Sequence, residues 1–371
     1  MDLALIVEWV LKAVILIFAL LTGFAYLTLY ERKVLARLQV RIGPNRAGPG
    51  GFFQPVADGV KLIFKEELIP TQADKIIFIL APVITVVPAL VIMAVVPWGD
   101  TIRLFGREIP LYVTDINVGI LYILSVASIS VYGIVLAGWS SNNKYAMLGG
   151  LRSSAQMISY ELALGLGFIG PILMASSMSL VDIVVSQKAQ GWYVLWQPLG
   201  AFIFWIATLA EVNRAPFDMP EAEQELTAGY HTEYSGMKFA LFFMAEYIKM
   251  IAVSAIAATL FFGGYHFPFL TDRFPILGPL VLLAKVMLLL FGMIWIRATL
   301  PRMRYDKLMA FGWKILLPLA LANVFIVAVG LVLEALWLIP IASLLMLVFT
   351  AFLIQITTSR RQIPLGGQRD A

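Results

Sequence analysis

Three glutamates lie within or at the ends of long apolar stretches, where an ionisable side chain is costly and usually functional. They are Glu161, Glu211 and Glu246. Lys249 follows Glu246 by three residues, which places both side chains on one face of a helix. Buried carboxyl groups titrate closer to neutral pH, as a proton relay requires. The sequence therefore predicts a relay, against the alternative that Glu246 and Lys249 only neutralise each other.

The segment 211–236 is unusually acidic and joins two of these apolar stretches. Against the single base Arg214 it carries the acids Glu211, Asp218, Glu221, Glu223, Glu225 and Glu233. Two prolines, Pro216 and Pro220, prevent one continuous helix through its first part. The composition leaves two interpretations open: a solvated acidic loop, or a site that collects protons for the buried glutamates.

The segment 31–75 carries the opposite charge. It begins with four bases at helical or near-helical spacing, Arg32, Lys33, Arg37 and Arg41. These bases could contact lipid headgroups, a transiently anionic ligand or another subunit. Farther along, apolar residues recur with helical spacing at Phe53, Val56, Ala57, Val60, Ile63 and Phe64. This pattern predicts a helix at the membrane surface or an amphipathic helix packed on the protein.

The composition narrows the chemistry further. Of the 371 residues, 60% are hydrophobic and 13% are charged, which excludes a soluble enzyme and a nucleic-acid-binding module. Cysteine is absent and only two histidines occur, so we expect no redox centre or catalytic metal in this chain. Function must then come from aromatic, amide, hydroxyl, carboxylate and basic side chains.

Nine apolar stretches are long enough to cross a bilayer as helices. They run approximately over residues 3–30, 76–97, 118–139, 157–177, 192–212, 237–262, 276–296, 311–333 and 337–356. The sequence therefore predicts one all-α polytopic membrane domain over residues 1–371, with about nine spanning helices. Lysine and arginine concentrate in the links after the first, third, fifth and seventh helices. The N-terminus is accordingly predicted outside and the C-terminus in the cytoplasm.

Six segments of the chain match a known family in order. They are Glu31–Asn45, Gln54–Lys61 with Phe64–Glu66, Ser159–Glu161, Glu211–Tyr234, Phe243–Tyr247, and Trp295–Thr299 with Pro301–Asp306. On these motifs the chain resembles the H-subunit family of respiratory NADH:quinone oxidoreductase (complex I) over essentially its whole length.

The resemblance implies a membrane subunit that docks the peripheral redox arm and forms much of a long quinone tunnel. Quinone would be the substrate, and iron–sulfur clusters and FMN would be held by partner subunits. Tunnel residues would be Arg32, Arg41, Asp58, Lys61, Arg214 and Phe217. The loop near the quinone cavity would include Asp218, Glu221, Glu223 and Glu225. A proton path into neighbouring subunits of the bacterial inner membrane would begin at Glu161, Glu211 and Glu246.

Two features depart from the family pattern. Some relatives carry a further glutamate in the third helix, where this chain reads Ala127-Ser128-Ile129-Ser130. Hydroxyl groups and water would then serve that relay position. The ninth helix is not universal in the family.

Two other functions stay open from the sequence. Membrane-bound hydrogenases and ferredoxin-linked complexes contain a similar subunit that need not use quinone. A stand-alone ion-coupled transporter would also need intramembrane acids, although such proteins usually show inverted repeats, and none is evident here.

Overall fold

The computed structural model describes residues 3–104, 107–218 and 228–361. Helices dominate this part of the chain: α1 (Leu3–Leu38), α2 (Gln54–Ile63), α3 (Lys75–Ile92), α4 (Gly119–Ser140), α5 (Lys144–Ala175), α6 (Leu180–Gln190), α7 (Tyr193–Trp196), α8 (Pro198–Glu211), α9 (Gly236–Phe261), α10 (Leu270–Arg273), α11 (Gly278–Thr299), α12 (Tyr305–Phe311), α13 (Leu317–Val332) and α14 (Leu338–Arg361). Strand β1 (Thr101–Leu104) pairs antiparallel with β2 (Arg107–Pro110) in the link between α3 and α4.

The helices coincide with the apolar stretches predicted from the sequence. Among the described residues, seven helical segments are long and apolar enough to span a bilayer. Two shorter apolar helices, α8 and the first part of α14, coincide with the remaining two predicted stretches. The all-α polytopic fold predicted from the sequence is confirmed.

Three helix boundaries differ from the predicted ones. Helix α1 continues to Leu38, so the first basic residues of the segment 31–75 belong to a helix. Helix α5 begins at Lys144, because the Asn143 side chain caps it by accepting from an N–H of the first turn. Glu161 therefore lies near the middle of its helix and not a few residues from its start. The predicted fifth helix is divided into α7 and α8 at Pro198, which has no N–H to continue the helix.

Close helix approach builds the centre of the fold. Helix α3 packs against α4 and α9, and α5 packs against α8 and α13. Gly133 permits the first contact, because a Cβ at that position would lie 2.9 Å from the Ala81 carbonyl oxygen. Small residues allow such close approach inside a membrane, where helix association depends on packing and hydrogen bonds. Buried aromatic rings fill the core, including Phe168 edge-on to Phe204 at 5.2 Å.

The end of α9 is held by a lysine of α11. Lys285 Nζ donates to the backbone carbonyls of Phe262, Gly264 and His266 at 2.6, 2.8 and 2.6 Å. The last carbonyls of a helix have no partner within the helix, and a lysine can satisfy them. We call residues 262–266 the outer loop, since they lie opposite the predicted cytoplasmic side.

Candidate functional site

A cavity of about 30 Å³ brings together several of the ionisable side chains predicted from the sequence. Glu211 at the end of α8 and Glu246 and Lys249 of α9 line it. His231 lines it as well, from the turn that precedes α9. The cavity has room for about two water molecules. Two predicted relay glutamates therefore share one small polar cavity, which we call the relay cavity.

Hydroxyl groups of α4 contact two of the ionisable side chains. Ser128 donates a short hydrogen bond to the carboxylate of Glu161. Lys249 Nζ donates to Ser130 Oγ at 2.5 Å, and both groups are buried. The two serines belong to the segment that reads Ala127-Ser128-Ile129-Ser130. Hydroxyl groups are thus present at the position for which the sequence predicts hydroxyl groups and water.

Arg214 is the centre of a second, largely buried group, which we call the arginine cluster: Glu31, Arg214, Glu246 and Arg297. Arg214 Nη1 lies 3.1 Å from Glu31 Oε1, and its Nε lies 2.6 Å from Glu246 Oε1. Arg297 also pairs with Glu31. The Arg214 guanidinium is 4.4 Å from the centre of the Tyr247 ring. The cluster connects α1, α9 and α11 to the loop after α8.

The charges of the arginine cluster decide the protonation of its central base. Burial acts to lower the pKa of Arg214, but the Glu246 and Glu31 carboxylates outweigh that effect and raise the pKa. The guanidinium therefore remains charged at every physiological pH. Glu246 belongs to both the cluster and the relay cavity, so it couples the two groups electrostatically. The interpretation in which Glu246 and Lys249 only neutralise each other is not what the structure shows, since each has another partner.

Comparison with known proteins shows the family. The family model described as NADH dehydrogenase matches residues 11–328. An NADH-quinone oxidoreductase H subunit of Geobacter sulfurreducens is 53% identical over 333 residues, which cover 87% of this chain and 94% of that protein. The H subunit of Deinococcus deserti is 52% identical over 357 residues, covering 95% and 91%. The H subunit of Thermomicrobium roseum is 52% identical over 319 residues, covering 84% and 92%. The chain belongs to the H-subunit family of NADH-quinone oxidoreductase.

The second family motif, which begins at Gln54, forms the short surface helix α2, and an ion pair ties this helix to α1. Arg32 Nη1 lies 2.7 Å from Asp58 Oδ2, and Gln54 supports the same carboxylate at 3.1 Å. The apolar side chains of α2 are largely exposed, at Val56, Val60 and Ile63 among others. The stripe therefore does not pack on this chain and is available to lipid or to another subunit. Lys61 on this helix and Arg41 beyond the end of α1 are both exposed, outside the buried clusters.

The acidic segment is described only in part. Glu221, Glu223 and Glu225 lie outside the described residues. Asp218 is half-buried at the end of the loop after α8. Phe217, a predicted tunnel residue, is buried against the Tyr160 ring at 5.5 Å between centroids. Gln156 holds this loop, since its Nε2 donates to the carbonyls of Ala210 and Phe217 at 2.8 and 2.7 Å.

An apolar cavity of about 200 Å³ lies between α1, α9 and α11. Tyr26 and Tyr30 of α1 line one wall, and Ile251 and Leu290 line others. The next residue after Tyr30 is Glu31 of the arginine cluster. One residue of the cavity wall is thus the chain neighbour of a residue of the arginine cluster.

Some residues of the site are not distinguished by the sequence. Glu31 and Arg297 stand in stretches of the sequence that are basic overall, although the two side chains pair with each other. The signal for Glu31 is an acid in a run of helical spacing directly after an apolar stretch. His231 carries no signal beyond its acidic surroundings. Among the residues that the structure describes, no group of three or more metal-binding side chains could hold a metal ion.

Proposed function

We propose that the chain is the quinone-binding and proton-coupling membrane subunit of an H⁺-translocating NADH:quinone oxidoreductase. The observation that carries the proposal is the convergence of Glu211, Glu246 and Lys249 on one cavity within the helical bundle. Ionisable groups at such depth are expensive and mark ion or proton pathways. Electrons would come from the FMN and iron–sulfur clusters of partner subunits. The chain itself would lie in the inner membrane with its C-terminus in the cytoplasm.

The quinone would occupy the region beside α1. The apolar cavity between α1, α9 and α11 offers a place for an apolar tail. The exposed bases Arg32, Arg41 and Lys61 lie on the same segment as the surface helix and suit a transiently anionic headgroup. The relatives carry quinone in their names, which favours quinone as the substrate over the hydrogenase alternative.

The arginine cluster supplies a physical route for coupling. Quinone reduction takes two electrons and two protons, and a negative charge appears during the reaction. In a site of low dielectric constant that charge acts strongly on nearby carboxylates. Glu31 follows Tyr30, a residue of the apolar cavity's wall, in the chain, and it is joined through Arg214 to Glu246 of the relay cavity. A charge near α1 would rearrange the ion pairs of the cluster and change the protonation of Glu211, Glu161 and Glu246. The acidic segment 211–236 would change its protonation and conformation in response.

Replacement of one relay carboxylate tests the proton path. Glu246→Gln keeps the shape of the side chain and removes its titration. In the purified complex reconstituted in vesicles, we expect proton pumping to be lost together with coupled quinone reduction. Glu334→Gln, at an exposed glutamate beyond α13, is the matched control and should leave both unchanged. Normal pumping by Glu246→Gln would refute the relay.

Labelling with a photoreactive quinone analogue tests the substrate. We expect labelling on α1 and the surface helix α2, and competition by unmodified quinone. Native purification supplies the second arm. The chain should co-purify with flavin and iron–sulfur subunits, whereas a free monomer or dimer would indicate a transporter instead.

A further inference from the structure

His231 lines the relay cavity but has no part in the proposed relay of glutamates. It is the last residue of the 3₁₀ turn Gly229–His231, which lies in the acidic segment shortly before α9 begins. The side chain is buried, at 8% exposure, and its Nδ1 has no hydrogen-bond partner. A buried polar atom without a partner is rare in native proteins and calls for an explanation.

Packing fixes the imidazole beside the cavity. A Cβ on Gly149 of α5 would lie 2.5 Å from the Gly229 Cα, so helix and turn meet backbone to backbone. The rings of Phe239 and Phe243 flank the imidazole edge-on, at 5.6 and 6.3 Å between centroids. The ring is therefore held in place by apolar groups on its sides.

The chemistry of the held ring suits proton transfer. Burial lowers the pKa of His231 to about 4, so the imidazole is neutral at pH 7. A neutral imidazole has one N–H and one lone pair. It can bind a proton at one nitrogen and release the proton of the other, with no net change in charge. The doubly protonated ring would be present in only about one molecule in a thousand at pH 7, so each transfer is brief.

We propose that His231 is a proton-carrying residue that passes protons between the predicted cytoplasmic side and the relay cavity. The charged groups that face it there are Glu211, Glu246 and Lys249. The space of about 30 Å³ admits about two water molecules, enough to connect the ring to these groups. The inference rests on the proposed function, because it adds a carrier to the same proton path.

Two substitutions with different losses separate a carrier from a structural residue. His231→Asn keeps a hydrogen-bonding group close to the Nδ1 position but cannot bind a proton at pH 7. His231→Phe keeps an aromatic ring and loses both functions. In the reconstituted complex, we expect both variants to lose proton pumping by about tenfold or more. Normal pumping by His231→Asn would show that His231 only forms a hydrogen bond. Normal pumping by His231→Phe would show that it only packs. Either result overturns the proposal.

Chemical rescue gives a readout that a structural role would not move. In His231→Ala, added imidazoles should restore pumping, with a rate that depends on the pKa of the imidazole. Restoration independent of that pKa, or none at all, would contradict a carrier. This variant also serves if either of the others fails to assemble.

Glu246→Gln in the same preparation separates this inference from the function beneath it. If Glu246→Gln abolishes pumping while the His231 variants pump normally, only the inference fails. If all of them pump normally, the proposed proton path fails with it.

Discussion

Arg214→Gln should break the arginine cluster and destabilise the subunit within its complex. The substitution removes the charge that lies 2.6 Å from Glu246 and 3.1 Å from Glu31. At these distances and an effective dielectric constant of about 20, each contact contributes about 5 to 6 kcal/mol of attraction. Glu31 retains Arg297 as a partner, but Glu246 loses its arginine.

The net effect is smaller than the attraction, because folding also removes water from all the charges. Breaking a buried ion pair by removing one partner costs about 3–5 kcal/mol. That cost corresponds to a change in the folding equilibrium of about a hundredfold to a few thousandfold. Arg214→Lys should also be destabilising, since one ammonium cannot replace two separate guanidinium contacts.

The assay is thermal unfolding of the purified complex, with native gels to measure assembly. Arg304→Gln provides the control, because Arg304 and Asp306 form an exposed ion pair in which the arginine side chain is 77% exposed. Exposed pairs contribute little, so this variant should unfold like the wild type. The double variant Arg214→Gln, Glu246→Gln should lose less than the sum of its two single variants. Equal unfolding temperatures for Arg214→Gln and Arg304→Gln would refute the reasoning.

Three further predictions concern the packing around the site. Gly149→Ala should displace the turn that bears His231 and reduce assembly on native gels, because the new Cβ would lie 2.5 Å from the Gly229 Cα. Gly165→Ala on the same helix is the control: no atom lies within 4 Å of its Cβ, so this variant should assemble normally. Lys285→Met should leave three carbonyls of the outer loop without the lysine donor. Amide hydrogen exchange in that loop, measured by mass spectrometry, should become faster, and unchanged exchange would contradict the role assigned to Lys285. His231 has a pKa of about 4 when folded and about 6.5 when unfolded, so the unfolded chain binds more protons in that interval and stability falls as the pH drops below 6.5. The loss should reach about 2 kcal/mol at pH 5 and be absent in His231→Phe, and equal acid sensitivity of the two proteins would exclude this cause.

Hydropathy was sufficient to locate the membrane helices. A bilayer forces every backbone polar group to pair within its own segment, so long apolar stretches must be helices. That constraint is local, and the nine predicted stretches accordingly coincide with helices of the structure. Hydropathy determined the ends of the helices less well, because polar residues extend some helices beyond their apolar stretches. Lys144 and Leu38 mark such ends, and neither is distinguished by hydropathy.

The partners of the buried charges were decided by tertiary structure. Glu211 and Glu246 could be recognised from sequence, since an acid in an apolar stretch is conspicuous. Their neighbours could not, because the contacts join residues far apart in the chain: Arg214 meets Glu31 across 183 positions, and Lys249 meets Ser130 across 119. A spacing of three residues favoured Glu246 with Lys249, but ion pairing in the folded chain depends on which helices pack together.

The sequence by itself thus determined a helical membrane subunit with a few costly charges and the family to which it belongs. Only the tertiary structure decided that these charges form two groups, the relay cavity and the arginine cluster, and that Glu246 belongs to both. The physical reason is the range of the forces involved. Burial of apolar surface acts on each stretch separately, whereas a charge in a medium of low dielectric constant depends on every neighbour that folding brings near it.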